Sequence, residues 1–331
     1  MMHRTLRSYL PWAYAVACCI GLAVLVYPNI NPYYQSIFMI ACINIILATS
    51  LTLINGFTGQ FSLGHAGFMA VGGYTTAALT IFVLPKLGIA ASDGFFQQLF
   101  FLLSLIVGGA FAAFCGYLVG LPSLRLKGDY LAIVTLGFGE IIRVMLLNIE
   151  FLGGARGLSG IITFTNHFWL IFLALASSFS AFRLLGTPTA RAMFSVREDE
   201  IAAEAMGVNT TGVKVKAFVV SSFWAGIAGG LYAHYYGYLN PSIFGFMKSF
   251  EVVVIIVLGG LGSVSGAVLA AVGLTILPEA LRPLQEITRL DFRMILYSLI
   301  LILFMLLKPD GLLGRREIAY YWRKYKNRGK K

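Results

Sequence analysis

The side chains able to do chemistry in this chain are few, and their setting limits what they can do. In GEIIR, residues 139–143, Glu140 and Arg143 stand three apart, close enough to meet on one helical face. They lie in an apolar run, where a charge marks function by default and a structural ion pair near the outer end of a helix is the alternative. His65 and His234 are isolated, and each reads as a hydrogen-bonded packing residue in preference to a proton carrier. No Ser-His-Asp set, carboxylate pair or HExxH spacing presents itself, so intramembrane catalysis has no positive support. Cys18, Cys19, Cys42 and Cys115 all sit in apolar runs and show no metal-ligand spacing.

Backbone groups are a second source of chemistry. The stretch NGFTGQFSLGHAGFMAVGGY, residues 55–74, carries glycines at 56, 59, 64, 67, 72 and 73, with Gln60, Ser62 and His65 among them. A later segment, GGLGSVSG at 259–266, repeats the grammar: Gly56-x-x-Gly59-x-x-Ser62 is matched by Gly259-x-x-Gly262-x-x-Ser265. Glycine this dense loosens a helix and lets backbones approach. Helix breaks at membrane depth are tolerated only against protein or a water-filled cavity. The pair reads as a weak parallel repeat whose free N–H and C=O groups line a solute path, of the kind transporters carry. Gly56, Gly59, Gln60, Ser62, Gly64, His65, Gly259, Gly262 and Ser265 are the candidate path residues; a dry packing seam is the alternative. Neither segment is a nucleotide loop. The P-loop string is absent, and Gly260-x-Gly262-x-x-Ser265 misses the third glycine of the dinucleotide fingerprint.

The third unusual stretch, VREDEIAAEAMGVN at 196–209, packs four acids and an arginine into eight positions of a chain that is 58% hydrophobic and 12% charged. Ser195 followed by Glu198 has the form of a capping box, and Glu198, Asp199 and Glu200 load the first turn favourably. Ile201, Ala202, Ala205 and Met206 form one apolar stripe with Glu200 and Glu204 facing away, and Gly207 is the stop. So short a helix is marginal alone in water, so it should dock on something.

The elements that must hold these residues follow from apolar runs near 10–30, 34–54, 62–84, 97–121, 130–148, 166–186, 215–238, 243–260, 264–281 and 292–308. Runs of about 20 apolar residues span a bilayer as helices. Continuous runs exclude barrel strands. The fold class is therefore an all-α polytopic membrane protein of about ten transmembrane helices with Gly-rich broken segments. The first run is too long for a signal peptide's apolar core and no A-x-A site follows, so it reads as a first helix. Residues 308–331, 1–7, 122–129 and 183–216 together hold 18 of the 25 Lys and Arg. With ten crossings all four regions share one side, which the positive-inside rule makes the cytoplasm. That gives a cytoplasmic N-terminus (1–9), a transmembrane domain (10–308) with a cytoplasmic loop at 187–214, and a basic tail (309–331). The net charge of +11 thus belongs to the lipid headgroups and not to nucleic acid.

GFTGQFSLGHAGFMAVGGY, KGDYLAIVTLGFGEIIR, REDEIAAEAMGVN and VLGGLGSVSGAVLAA each resemble signature segments of the branched-chain amino acid permease family, the LivM-like subunits of ATP-binding-cassette importers. They occur in family order over residues 34–308. The resemblance implies a permease in the bacterial inner membrane that pairs with a second permease subunit. It further implies two cytosolic ATPases below and a periplasmic solute-binding protein outside. No cofactor would be bound by this chain, since ATP and Mg belong to the ATPases, and the chain would not itself be an enzyme. Ala202-Ala203-x-x-x-Gly207 is similar to the loop that docks such permeases on their ATPases, although Ile201 stands where the consensus has Glu and the downstream Ile-x-Leu-Pro is absent. It assigns Arg197, Glu198, Glu200, Ala202, Ala203, Glu204 and Gly207 to an ATPase-coupling helix. A urea or amide permease of the same family and an ion-coupled secondary transporter are the alternative readings.

Overall fold

The computed structural model describes residues 31–87, 94–123, 129–282, 293–314 and 317. The expected first helix, at 10–30, and most of the basic tail lie outside them. The chain is a helical bundle whose six longest apolar helices could each cross a membrane. Helix α1 (Pro32–Leu51) starts on Pro32 at its first position, with the Asn31 side chain accepting from Tyr33 N at 3.0 Å. It widens to a π-helical turn at Thr52–Phe57, giving a span of 26 residues, about 39 Å at 1.5 Å per residue. After an irregular stretch, α2 (His65–Ala78) runs back through a π turn at Leu79–Val83. Next come α3 (Gly94–Ser123), α4 (Asp129–Asn148) and α5 (His167–Leu185). Two short helices, α6 (Pro188–Glu198) and α7 (Glu200–Ala205), lead into α8 (Thr210–Tyr236). Three shorter helices follow: α9 (Phe246–Gly259), α10 (Val264–Ala280) and α11 (Arg293–Leu307).

These helices coincide with nine of the ten expected runs. The expectation of ten full crossings is only partly met, because α9, α10 and α11 have 14, 17 and 15 residues. At 1.5 Å per residue α9 reaches about 21 Å, short of a hydrocarbon core of about 30 Å. The run at 243–281 is a pair of short helices meeting at Gly260–Ser263.

Helix α8 is the centre of the bundle and packs against α2 and α3. Small residues make that possible, because lipid supplies no hydrophobic force between helices and close backbone approach must replace it. A methyl group added to Gly72 would overlap the Gly226 backbone, and one added to Gly226 would lie 2.6 Å from Ala112 Cβ. Gly72 and Gly73 therefore belong to a packing seam, which separates them from the glycines at 56–64. Phe68, Met69, Tyr74, Phe101, Leu105, Phe218 and Leu231 fill the core around this seam. His234 is buried within it, with Nδ1 2.7 Å from Ile162 O and Nε2 3.4 Å from Thr80 Oγ1. That is a packing histidine, partnered on both ring nitrogens.

The two ends of the bundle differ. At one, Leu158–Ser159 pairs antiparallel with Tyr238–Leu239 and closes the α4–α5 and α8–α9 connections. The other end gathers the α6–α7 segment, the α9–α10 turn and the chain after α11. There Leu312 N donates to Leu258 O at 2.8 Å and Leu313 N to Gly259 O at 3.3 Å.

Candidate functional site

The polar stretch at 196–209 forms two helices where one is expected. Thr187 caps α6, its Oγ1 accepting from Ala190 N at 3.3 Å with Pro188 at the first position. Ser195 is consequently inside α6, bonded back to Ala192 O at 2.9 Å, and the expected Ser195–Glu198 capping box does not form. Asp199 breaks the chain with extended backbone (φ −157°) and caps α7, Oδ1 accepting from Ile201 N and Ala202 N at 2.9 and 3.0 Å. Gly207 ends α7 in the left-handed region (φ +83°), with Val208 N bonded to Ala203 O at 3.0 Å, a Schellman closure.

Inward, α7 is held by Ala203, which is buried against α6 and α8, and by Glu200, whose carboxylate lies 2.6 Å from the buried Lys214 ammonium. Glu204 accepts from Thr210 Oγ1 at 3.2 Å. The apolar stripe points the other way. Ile201 is 72% exposed and Met206 84%, with Ala202 and Ala205 exposed beside them. A short helix fixed by one small residue, one ion pair and one side-chain hydrogen bond presents an uncovered apolar stripe at the end of the bundle. Glu198 sits exposed at the end of α6.

Arg197 points the opposite way, into the bundle. Its Nη1 donates to Gly56 O at 2.6 Å. A methyl group on Gly59 would lie 2.8 Å from Arg197 Cγ, and one on Gly262 would lie 2.7 Å from Arg197 Nη1. The two glycine breaks also touch each other, since a methyl group on Gly56 would meet Gly262 N at 2.8 Å. Gly59 and Gly262, the matched positions of the two repeats, both have positive φ (+69° and +99°). One guanidinium is thus clasped between both breaks, and only glycine leaves it room. A charge-assisted hydrogen bond of this kind contributes about 1.5–3 kcal/mol.

The remaining candidates divide between the breaks. Gln60, Ser62 and His65 are all buried. Ser62 N donates to Asn55 Oδ1 at 3.3 Å, and His65 Nε2 lies 2.9 Å from Ser50 Oγ. Asn55 Nδ2, Gln60 Oε1, Ser62 Oγ and His65 Nδ1 nevertheless have no hydrogen-bond partner among the described residues. Unmet buried polar atoms are rare enough to ask for water or a ligand, and four here fall within eleven residues of chain. Gly64 packs on the Thr135 backbone of α4. Gly259 packs on Gly266, tightening the α9–α10 turn, with the added methyl 2.5 Å from Gly266 O. Ser265 is engaged elsewhere: the Glu317 carboxylate accepts from Val264 N at 2.8 Å, from Ser265 N at 3.1 Å and from Ser265 Oγ. A residue of the tail thus holds the start of α10.

Glu140 and Arg143 pair at 2.7 Å. Glu140 is the twelfth of the twenty residues of α4, about 16 Å from its start. The pair is therefore near the middle of the helix and not at its outer end. A second pair carries the same three-residue spacing: Lys248 and Glu251 of α9, 3.0 Å apart. Lys248 Nζ also donates to Asn44 Oδ1 of α1 at 3.2 Å, and Asn44 Nδ2 to Thr275 Oγ1 of α10 at 3.0 Å. Charges at the centre of a membrane helix cost about 2.5–3.5 kcal/mol each unless they face protein or water.

The family model described as "Branched-chain amino acid transport system / permease component" matches residues 33–306. The chain is 37% identical to the high-affinity branched-chain amino acid transport system permease protein LivM of Escherichia coli (strain K12), over 82% of this chain and 68% of the relative. It is 28% identical to the corresponding LivH protein of Salmonella typhimurium, over 82% of this chain and 92% of the relative. The probable LivM protein of Methanocaldococcus jannaschii is 26% identical over 65% and 69%. No solved structure matches.

Proposed function

This chain belongs to the branched-chain amino acid permease family and is a permease subunit of an ATP-binding-cassette transporter; on that premise we propose how it couples ATP hydrolysis to the import of leucine, isoleucine and valine. The 187–214 loop faces the cytoplasm, and the stripe Ile201, Ala202, Ala205 and Met206 seats in an ATPase subunit that binds ATP and Mg. A second permease, related as LivH is to LivM, completes the membrane path, and a periplasmic binding protein delivers solute from outside. This chain performs no hydrolysis.

The observation that carries the proposal is Arg197. It stands one residue before Glu198 and two before the Asp199 break, on the helix that leads directly into α7, and it is clasped by Gly56, Gly59 and Gly262. A displacement of α7 by the ATPase pair reaches both breaks through that one side chain. The breaks sit beside the unmet polar atoms of Asn55, Gln60, Ser62 and His65, so their separation opens or closes a polar route at the cytoplasmic end. Weak, backbone-rich contacts suit an importer, because tight binding there would oppose inward release. On this reading the ion-coupled alternative is not needed, since the path can be driven from α7 without any titrating residue.

The test is reconstitution with the two ATPases, the second permease and the binding protein. Met206→Asp places a charge on the stripe without touching the Ala203 anchor. It should release the ATPases during purification and abolish ATP-driven leucine uptake. Retained ATPases together with unchanged uptake would remove the docking assignment.

A further inference from the structure

Beyond the coupling route, the structure carries a second polar feature, one that the coupling segment does not use. Two ion pairs flank the start of α9, Glu140–Arg143 on α4 and Lys248–Glu251 in its own first two turns. A methyl group on Gly245, the residue preceding α9, would lie 4.0 Å from both Arg143 Cδ and Glu140 Oε1. Lys248 and Glu251 follow in the first two turns of α9. This junction is about half-way along α4, and Ser249 of α9 accepts from Ala66 N at the start of α2, directly above the first glycine break.

Three of the four charged side chains are partly open, whereas Lys248 is largely covered. Of the six long apolar spans, α4 is the least buried, with Ile133, Ile141 and Val144 exposed on one side. The Glu140, Arg143 and Glu251 side chains keep 37%, 28% and 43% of their surface open. Lipid does not accept ionised groups at this depth, so the face must meet water or another protein chain. Met247 shares a face of α9 with Glu251, four residues on, and Phe250 and Phe246 are exposed beside it. An apolar wall therefore adjoins Glu251. Gly245 provides no side-chain cap, so the first amides of α9 also point toward this junction.

We infer that Glu140, Arg143, Lys248 and Glu251 form one half of a transient site for a zwitterionic amino acid, closed on the other side by the second permease subunit. The inference rests on the permease reading and adds the place where the solute is held. Arg143, with the α9 amides near it, receives the carboxylate. Glu140 and Glu251 accept from the ammonium, and Phe246, Met247 and Phe250 face the branched aliphatic tail. Lys248, tied to Asn44 and Glu251, positions Glu251 and keeps the site neutral overall. Without solute the four groups satisfy one another in pairs, so binding exchanges one set of ion pairs for another. Such an exchange is nearly balanced, and the site holds its ligand weakly.

Two measurements on the reconstituted complex decide this. In the first, Glu140→Gln and Arg143→Met should each lower leucine uptake at least tenfold while the second permease and both ATPases still co-purify. Wild-type uptake in both variants overturns the site. The second applies if either variant fails to assemble: Met247→Cys and Glu251→Cys, in a chain freed of its four native cysteines, are exposed to a hydrophilic methanethiosulfonate. Both should react, and millimolar leucine should slow the reaction severalfold. A lack of reaction in every nucleotide state, or no effect of leucine, overturns it as well. If the wild-type complex itself moves no leucine with ATP, the permease reading has failed instead, and the two failures are distinguishable.

Discussion

Replacing Arg197 by Met keeps most of the stem that fills the space beside Gly59 and removes the guanidinium that holds Gly56 O at 2.6 Å. The lost bond is charge-assisted, worth about 1.5–3 kcal/mol. At about 1.4 kcal/mol per factor of ten, the balance between clasped and released breaks shifts by roughly tenfold to a hundredfold. The expected phenotype is uncoupling: the ATPases stay bound through Ile201 and Met206, ATP is hydrolysed, and leucine delivered per ATP falls at least tenfold. Arg197→Lys, which keeps a donor but not the planar fork, should fall between the two. The assay is simultaneous measurement of labelled leucine uptake and phosphate release in proteoliposomes. An unchanged ratio of solute to ATP in Arg197→Met would refute the argument that this side chain links α6 to the breaks. Loss of the complex on purification would assign Arg197 to assembly instead.

Other perturbations separate coupling from packing. Gly207→Asp adds a charge next to the docking stripe at a φ of +83° with open space around it. Its ATPases should dissociate, whereas Gly207→Ala, strained by about 1–2 kcal/mol in this backbone region, should retain them on co-purification. Glu317→Ala removes the carboxylate that caps α10; a lost cap costs about 1 kcal/mol. For a chain of this size that corresponds to a fall of about 1–2 °C in the melting temperature by thermal unfolding in detergent. Gly226→Val drives methyl groups into Ala112 Cβ and the Gly108–Gly109 backbone of α3 and should abolish membrane accumulation on an immunoblot, while Gly273→Ala, which meets nothing within 4 Å, should accumulate normally. Reporter fusions after Asn240 should read as outside and those at Thr210 as cytoplasmic.

The helices were legible because a bilayer imposes length and polarity on each of them, so α1 to α5 and α8 fall within a few residues of their apolar runs. Glycine marked both breaks for the same reason it marks any break, and Gly207 stops α7 where expected. Local grammar misled at Ser195, where a cap spacing lay inside a helix already started by Thr187 and Pro188. What the sequence could not convey was long-range: the meeting of Gly56 with Gly262, the entry of Arg197 between them, and the Glu317 cap on α10. Lys248 and Glu251 carried a readable three-residue spacing. Their weight, however, comes from standing in the first turns of α9, whose leading residue Gly245 packs near Glu140 and Arg143, which depends on how α4 and α9 meet.

The most direct test of the central claim is leucine uptake by proteoliposomes holding this chain, the second permease and both ATPases, with the binding protein added on the outer side and no ion gradient imposed. The account predicts accumulation of leucine, isoleucine and valine that requires enclosed ATP and the binding protein, and that is lost in Met206→Asp. Uptake that proceeds without ATPases on a proton or sodium gradient, or that carries urea and not leucine, would contradict it.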